Sequence, residues 1–509
     1  MRKNIFKIAL VLMSAILLYS CDLTREPYNT IPSGSSLESM SDAKKWDTGF
    51  MSQLRSRYGG YYFTLQDYQA DYLNASADFG NRGGAWYTWT SLNSSDYDVK
   101  DIWHSYYYSL KNINEFLELS EKFELTSEDQ KAELSLYQGD AHLLRAYYYY
   151  ELALRYGTVY NKASEANDLC VPLILKYDIA ELPSRATNKA VFDQIASDIA
   201  KAKTLLAARK NAPMSRVLNT DAAYALEARV ALYKKDWPTA LTAAEKLINS
   251  KTYPLIEPEV ENIEDMWRAD KSSEDIVQLF IKKNDEEPRT IGYYGWSNSL
   301  QLHVPDWFPT QGIIDMFEDG DIRFNLYFEK KTTEVLSTKM EDLYVISKFK
   351  GNPAFDTTPG SPLYILAPKI FRMGEIYMIA AESAYMDKKE EVAKKHLNDL
   401  RNSRGLDDVN VAGNALFEEI KKERTRELAF EGQRFWDLRR WGDGMTRMSP
   451  QESETILTGT DKVGSSFITS MSPIDLKVES SSHRWIWPIP YNEMTTNVNI
   501  KDQQNPGWQ

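Results

Sequence analysis

"YALEARVALYKKDWPTALTAAEKLI" (224–248) and "YMIAAESAYMDKKEEVAKKHLNDL" (377–400) carry one pattern twice: Tyr224, Ala228 and Ala240 in the first and Tyr377, Ala381 and Ala393 in the second both read Tyr-x3-Ala-x11-Ala. Small residues at that spacing let two antiparallel helices approach closely, with an aromatic ring filling the gap above them. Such a pair keeps an apolar face that only a neighbouring pair can cover. The pattern therefore predicts tetratricopeptide-like helix pairs stacked into an α-α superhelix, in a chain that is all-α dominated with minor β.

Two stretches further upstream fit the same architecture. "AELSLYQGDAHLLRAYYYYELALRYG" (132–157) places apolar residues three and four apart and ends on Gly, and "KAVFDQIASDIAKAKTLLAA" (189–208) repeats the amphipathic spacing. Residues 251–370 lose this period and gain Pro, Gly, Asp and aromatics, as in "GYYGWSNSLQLHVPDWFPTQG" (292–312), which predicts a large irregular insertion on the helical scaffold. Loops held on rigid helices are where binding residues tend to sit. The tail from 443 onward is irregular in the same way.

The chain begins "MRKNIFKIALVLMSAILLYSC": Arg2, Lys3 and Lys7 precede an apolar run from Ile8 to Leu18 that is too short to span a bilayer and has the form of a secretory signal. "LLYSC" resembles a lipobox, which makes Cys21 the acylated first residue of the mature protein and its lipid anchor (palmitate). Losing residues 1–20 removes three positive charges and no acid, so the net charge of -13 falls to -16. A surface that acidic argues against gripping nucleic acid. Cys170, the other of two cysteines, has no partner and reads as a buried structural thiol.

A search for catalysis starts at "IKKERTRELAFEGQRFWDLRRWG" (420–442), where Glu423, Glu427 and Glu431 fall at i, i+4 and i+8 on one predicted helix face. Paired carboxylates invite a glycoside hydrolase reading. The same stretch supplies Arg424, Arg426, Arg434, Arg439 and Arg440, and carboxylates neutralised by arginine have depressed pKa values, the opposite of what a general acid needs. The five histidines show no metal-ligand spacing, and there is no phosphate loop, nucleophile elbow or dinucleotide fingerprint. The sequence thus predicts a non-enzyme with no metal and no cofactor.

Aromatic residues gather in two polar settings. "NRGGAWYTWTSLN" (81–93) sets Trp86, Tyr87 and Trp89 among Asn81, Arg82 and Asn93, after Gly83 and Gly84. The second cluster is Tyr293, Tyr294, Trp296 and Trp307 with Asn298 and His303. A sugar ring offers a face of C–H bonds and a rim of hydroxyls, which suits exposed aromatic plates beside amides and guanidinium groups. In an extended 85–90 segment Tyr87 and Trp89 share one face and Trp86 points to the other. The alternative role for each ring is to plug a loop onto the helices.

The lipobox, "PSRATNKAVFDQIASDIAKAKTLL" (183–206), "FRMGEIYMIAAESAY" (371–385), "LNDLRNSRG" (397–405), "KERTRELAFEGQRFWDLRRWG" (422–442), "WPIPYNEM" (487–494) and "QNPGW" (504–508) occur in that order. Together they resemble the RagB/SusD family of outer-membrane nutrient-binding lipoproteins. The resemblance implies a signal peptide at 1–20, a lipidated Cys21 with a flexible tether over 21–40, an N-terminal region with tetratricopeptide-like helices over 41–290, and a C-terminal region over 291–509. It also implies a surface-facing outer-membrane lipoprotein that binds glycans and hands them to a SusC-like TonB-dependent transporter, with a site built from an early loop and a mid-chain insertion. Ligand residues vary among members, so the two aromatic clusters stand on their own chemistry. Peptide capture is the alternative within the family; glycoside hydrolysis and a pure repeat scaffold are the alternatives outside it.

Overall fold

The computed structural model describes residues 36–76, 82–178, 180–288, 290–453, 456–458 and 477–508. Both predicted helix pairs form. Thr220–Lys234 turns into Trp237–Ser250, and Met373–Met386 turns into Glu390–Asn402. Ala228, Ala240, Ala381 and Ala393 are fully buried between their helices, while Tyr224 and Tyr377 are only half-buried and cap the contact from its edge. The first turn is set locally: Lys235 takes the left-handed conformation, Asp236 caps the next helix by accepting from Thr239 N, and Pro238 occupies its first turn.

The two pairs lie more than a hundred residues apart in sequence and still pack side by side, with Trp237–Ser250 against Met373–Met386. The intervening insertion is therefore a loop thrown out from one continuous helical stack. Its neck is tied by an antiparallel pairing of Asp275–Gln278 with Lys369–Arg372. Upstream, Tyr97–Lys122, Glu128–Tyr156 and Asn188–Leu205 extend the stack. Ser127 and Thr187 cap the second and third of these with their hydroxyls.

Within the insertion the strands are short. Four of them, Thr338–Met340, Thr333–Val335, Leu302–His303 and Trp296–Ser297 in that order, form a five-stranded sheet with Ile456–Thr458 of the tail at the Thr338–Met340 edge, and a small separate cluster of Tyr294, Phe308, Val335, Met340, Leu343 and Val345 forms its core. Cys170 is fully buried, and burial pushes its thiol up to about 12.

One predicted element breaks. The helix Asn414–Glu427 ends before Glu431, because Phe430 (φ 63°) and Gly432 (φ 70°) adopt left-handed conformations and reverse the chain into Arg434–Trp441. Glu431 does not share a helix face with Glu423 and Glu427. All three carboxylates nevertheless meet in one buried network, held by cations from distant segments. Arg323 donates to Glu423 (2.7 Å) and Glu427 (2.8 Å), Arg372 bridges Glu427 and Glu431, Arg404 pairs with Glu427 and Glu274, and Lys348 reaches Glu431 at 2.7 Å. Of the five local arginines, Arg426 pairs with Glu423. The other charged pairings are Arg424 with Asp437, Arg434 with Asp71 and Arg440 with Glu382, and Arg439 donates to backbone carbonyls and Tyr233.

Candidate functional site

The stretch 82–93 is folded as a turn of helix. Gly84–Thr88 is helical between left-handed Gly83 (φ 72°) and Trp89 (φ 58°), so the extended alternation does not occur. The double reversal turns every ring inward. Trp86 is 2% exposed, packs on Trp487 with centroids 4.3 Å apart, and donates its indole N–H to Asp98 (3.2 Å). Trp89 lies against Trp485 and Phe435 and donates to the Gln69 carbonyl at 3.1 Å. Tyr87 sits between Trp307 and the Arg447 guanidinium, which is 4.1 Å from its ring centre.

Most of the second cluster is interior as well. Trp307 stacks on Tyr68 at 4.0 Å, Tyr293 donates to Asp67 (3.1 Å) and Tyr294 donates to Glu329 (2.8 Å). His303 is buried between Tyr294 and Trp296, and burial together with the Lys331 charge pushes its imidazole down to about 4, so it is neutral at pH 7. Seven of the predicted ligand residues, Trp86, Tyr87, Trp89, Tyr293, Tyr294, His303 and Trp307, are thus core side chains without a face for a ligand. Asn93 is exposed, but its side chain accepts from Ser95 N (2.9 Å) as part of the turn leading into Tyr97–Lys122. Asn81 and Cys21 lie outside the described residues.

What remains at the surface converges on one hairpin. Trp296–Ser297 pairs with Leu302–His303, Trp296 opposite His303. The Trp296 indole is half-exposed and fixed from two sides: its N–H donates to Asn298 Oδ1 (2.8 Å) and Ser361 Oγ (3.3 Å), and its backbone N–H donates to Tyr364 Oη (3.0 Å). Gly295 (φ 65°) lets the hairpin lie directly on Pro305, where a Cβ would collide with backbone. The next residue after Pro305, Asp306, takes a two-pronged grip from Arg82, with Nε at 2.7 Å. Arg82, Trp296 and Asn298 are therefore brought to the same region of chain by residues 295–306.

Tyr61, which the sequence reading passed over, joins them. Its ring is 41% exposed and lies within electrostatic reach of Asp98, Arg82 and Asp306, and the Gly60 N–H at the start of its helix donates to the Thr290 carbonyl (3.2 Å). The available signal was the Gly59-Gly60 pair before an aromatic run, the same cue that singled out residues 83–89. These segments offer two accessible rings, Tyr61 and Trp296, the Asn298 amide and the Arg82–Asp306 ion pair. That suits a neutral polyhydroxyl ligand.

The three predicted carboxylates are buried, ion-paired and lowered, the opposite of the raised carboxyl a general acid needs. Burial opposes ionisation of Glu427, yet Arg404 and Arg372 hold its carboxyl well below the usual carboxylate range, and Glu431 is likewise lowered, against burial, by Arg372 and Lys348. Among the described residues no group of His, Cys, Asp and Glu is placed to hold a metal ion, and no helix is long and apolar enough to cross a membrane.

Comparison with known proteins follows the fold. Residues 364–508 match the model of the SusD family, and residues 32–232 match a second model described as "Starch-binding associating with outer membrane". Among solved structures, a SusD superfamily protein from Bacteroides thetaiotaomicron is 24% identical over 92% of this chain and 100% of its own, with a TM-score of 0.75. A SusD-like carbohydrate binding protein from Bacteroides vulgatus is 20% identical over 91% and 97%, with a TM-score of 0.73. A SusD superfamily protein from the same species is 22% identical over 93% and 100%, with a TM-score of 0.72. None of the curated proteins matches the chain. The two models of this family together cover more than half of the chain, the first including the helix pair Met373–Asn402, the helix with Glu423 and Glu427 and the "QNPGW" tail, and the chain belongs to the SusD/RagB family.

Proposed function

We propose that this protein is a surface-facing outer-membrane lipoprotein, anchored through Cys21, that binds oligo- or polysaccharide and passes it to a SusC-like TonB-dependent transporter. It works as a binder without catalysis or cofactor. The observation that carries the reading is the half-exposed Trp296 indole, locked by Asn298, Ser361 and Tyr364 beside the Arg82–Asp306 pair and Tyr61. A preset ring loses little freedom when a sugar stacks on it. The starch-binding description of the matching family model and the carbohydrate-binding neighbour support the ligand class. The N-terminal region over 41–290 supplies Tyr61 and Arg82, and the C-terminal region over 291–509 supplies the hairpin.

The test is a glycan array on residues 22–509, followed by calorimetry of Trp296→Ala and Tyr61→Ala on the glycan found. Loss of affinity in folded Trp296→Ala supports the site. Parent-like affinity in both folded variants rejects it, and binding of peptides instead of glycans rejects the ligand class.

A further inference from the structure

One buried carboxylate ties together the segments that build the candidate site. Asp67 is fully buried near the end of the helix Tyr61–Gln69, whose first residue is the accessible Tyr61. It accepts from the Tyr72 hydroxyl at Oδ1, from the Tyr293 hydroxyl at Oδ2 (3.1 Å), and from the Gly432 N–H at both oxygens (3.1 and 3.3 Å). Each donor belongs to a different segment. Tyr72 precedes the strand Leu73–Ala75, which pairs with Trp307–Pro309 directly after Asp306. Tyr293 stands three residues before Trp296. Gly432 lies in the turn ahead of Arg434–Trp441, so close to the helix Tyr61–Gln69 that a Cβ on it would come within 2.8 Å of the Phe63 carbonyl.

All three partners donate, so the pattern fits an ionised carboxylate. Protonation would replace one accepting oxygen by a hydroxyl, and one of these bonds would be lost or reversed. No guanidinium or ammonium group is hydrogen-bonded to Asp67 among the described residues to fix its charge. Lys348 acts on it from a distance, while its own ammonium donates to Glu431 and to the Ala429 carbonyl. The other ionisable groups around it are Tyr68 on its own helix, Asp71 beside Tyr72, held by Arg434, and Glu431 beside Gly432, held by Arg372 and Lys348. Burial pushes Asp67 up to about 7, against the pull of its three donors.

We infer that the Asp67 carboxylate is a positioning residue for glycan capture: it holds the Tyr61 helix and the Trp296 hairpin in one register without touching the ligand, so that the site binds tightly above neutral pH and loosens in acid. The inference rests on the glycan reading and adds control by protons to that same site. The ligand-free test labels the protein with 5-fluorotryptophan, assigns the Trp296 fluorine resonance by its loss in Trp296→Phe, and titrates it between pH 8 and pH 6. The resonance is expected to move with a midpoint near 7 in the parent and to stay fixed in Asp67→Asn. Calorimetry with the array-identified glycan is expected to show the parent losing affinity about fivefold or more over the same range. Asp67→Asn should bind weakly and equally at both ends. Tyr293→Phe, which keeps the carboxylate and cuts only the tie to the hairpin, should be weakened at pH 8 and respond less to acid; it carries the test if Asp67→Asn does not fold. A carboxyl raised on folding takes up protons that the unfolded chain has already released, so as far as Asp67 is concerned acidification from pH 8 to pH 6 stabilises the fold. Melting curves that rise or hold while affinity falls therefore separate positioning from unfolding. A parent whose Trp296 resonance and affinity are both flat, or an Asp67→Asn or Tyr293→Phe protein that follows the parent at every pH, overturns the inference. If no glycan binds the parent, the glycan reading falls and the role in capture with it, and the fluorine titration still decides whether Asp67 governs the hairpin.

Discussion

Arg404 grips Glu427 through two parallel hydrogen bonds of 3.0 Å each, at a place where neither side chain is more than 1% exposed. Arg323 and Arg372 converge on the same carboxylate. Three buried guanidinium groups thus depend on one anion, and the network joins the insertion to both later helices.

Removing that anion takes one partner from each of three buried cations, which keep Glu423, Glu431 and Glu274 as their remaining carboxylates. Glu427→Ala is expected to cost about 3–5 kcal/mol of stability, the range for breaking a buried pair. Gly374→Ala is expected to destabilise through the same centre, because a Cβ there would collide with the Glu427 carboxylate. Thermal unfolding measures both. Parental melting temperatures would show that the network contributes nothing to the fold.

The two groups of tryptophans should separate cleanly. Trp86→Ala and Trp89→Ala are expected to lose about 3–5 kcal/mol of stability, as large core truncations do. Trp296→Ala is expected to keep its melting temperature within a few degrees and to lose about 1–3 kcal/mol of binding, roughly 5- to 150-fold in affinity, on the scale of aromatic stacking against flat ligands. Melting curves and calorimetry on the same samples decide it. A stable Trp86→Ala that no longer binds would return that ring to the ligand site.

Gly295 provides a variant that disturbs the site without touching a ligand group. Its positive φ and its contact with Pro305 leave no room for a side chain, so Gly295→Ala is expected to shift the hairpin and weaken glycan binding. The small sheet lies apart from the main core, so the loss of global stability should be modest. Intact binding in this variant would mean that the position of the hairpin is irrelevant to recognition.

Alkaline pH should loosen the helix Met40–Ser56, which buries Asp47. Burial and the adjacent Asp140 carboxylate push Asp47 up to about 9, and Arg209, 2.6 Å from Asp140, faces the pair. A carboxyl raised in the folded state binds a proton that the unfolded chain releases near pH 4, so its contribution to stability is complete below that value and declines as pH rises toward 9. Melting temperature is expected to fall between pH 7 and pH 9 and to fall less in Asp47→Asn. Identical slopes for the two proteins would contradict this.

The parts of the fold carried by local chemistry were legible in the sequence. Ala228, Ala240, Ala381 and Ala393 announce close helix packing by their spacing alone. The fate of the aromatic residues was not legible. Trp86 is buried by Trp487, Trp89 by Phe435 and Trp485, and Tyr87 by Trp307 and Arg447, all more than two hundred residues away. Polar neighbours in sequence say nothing about partners brought in by topology. The same limit applies to Glu427, whose arginines at 323, 372 and 404 lie outside the charged helix that drew attention to it. Tyr61 was missed for the converse reason, since its accessibility depends on how Gly60 presents it beside Thr290.

The residues that seal the early helices come from the far end of the chain. Trp487 covers Trp86 and donates its backbone N–H to the Arg155 carbonyl, Asn505 donates to the carbonyls of Tyr156 and Trp487, and Arg185 is held by Gln503 and Asn505. A nascent chain lacking residues 485–505 has no means of finishing the interior of its first two hundred residues. Completion of the fold is therefore postponed until synthesis is nearly over.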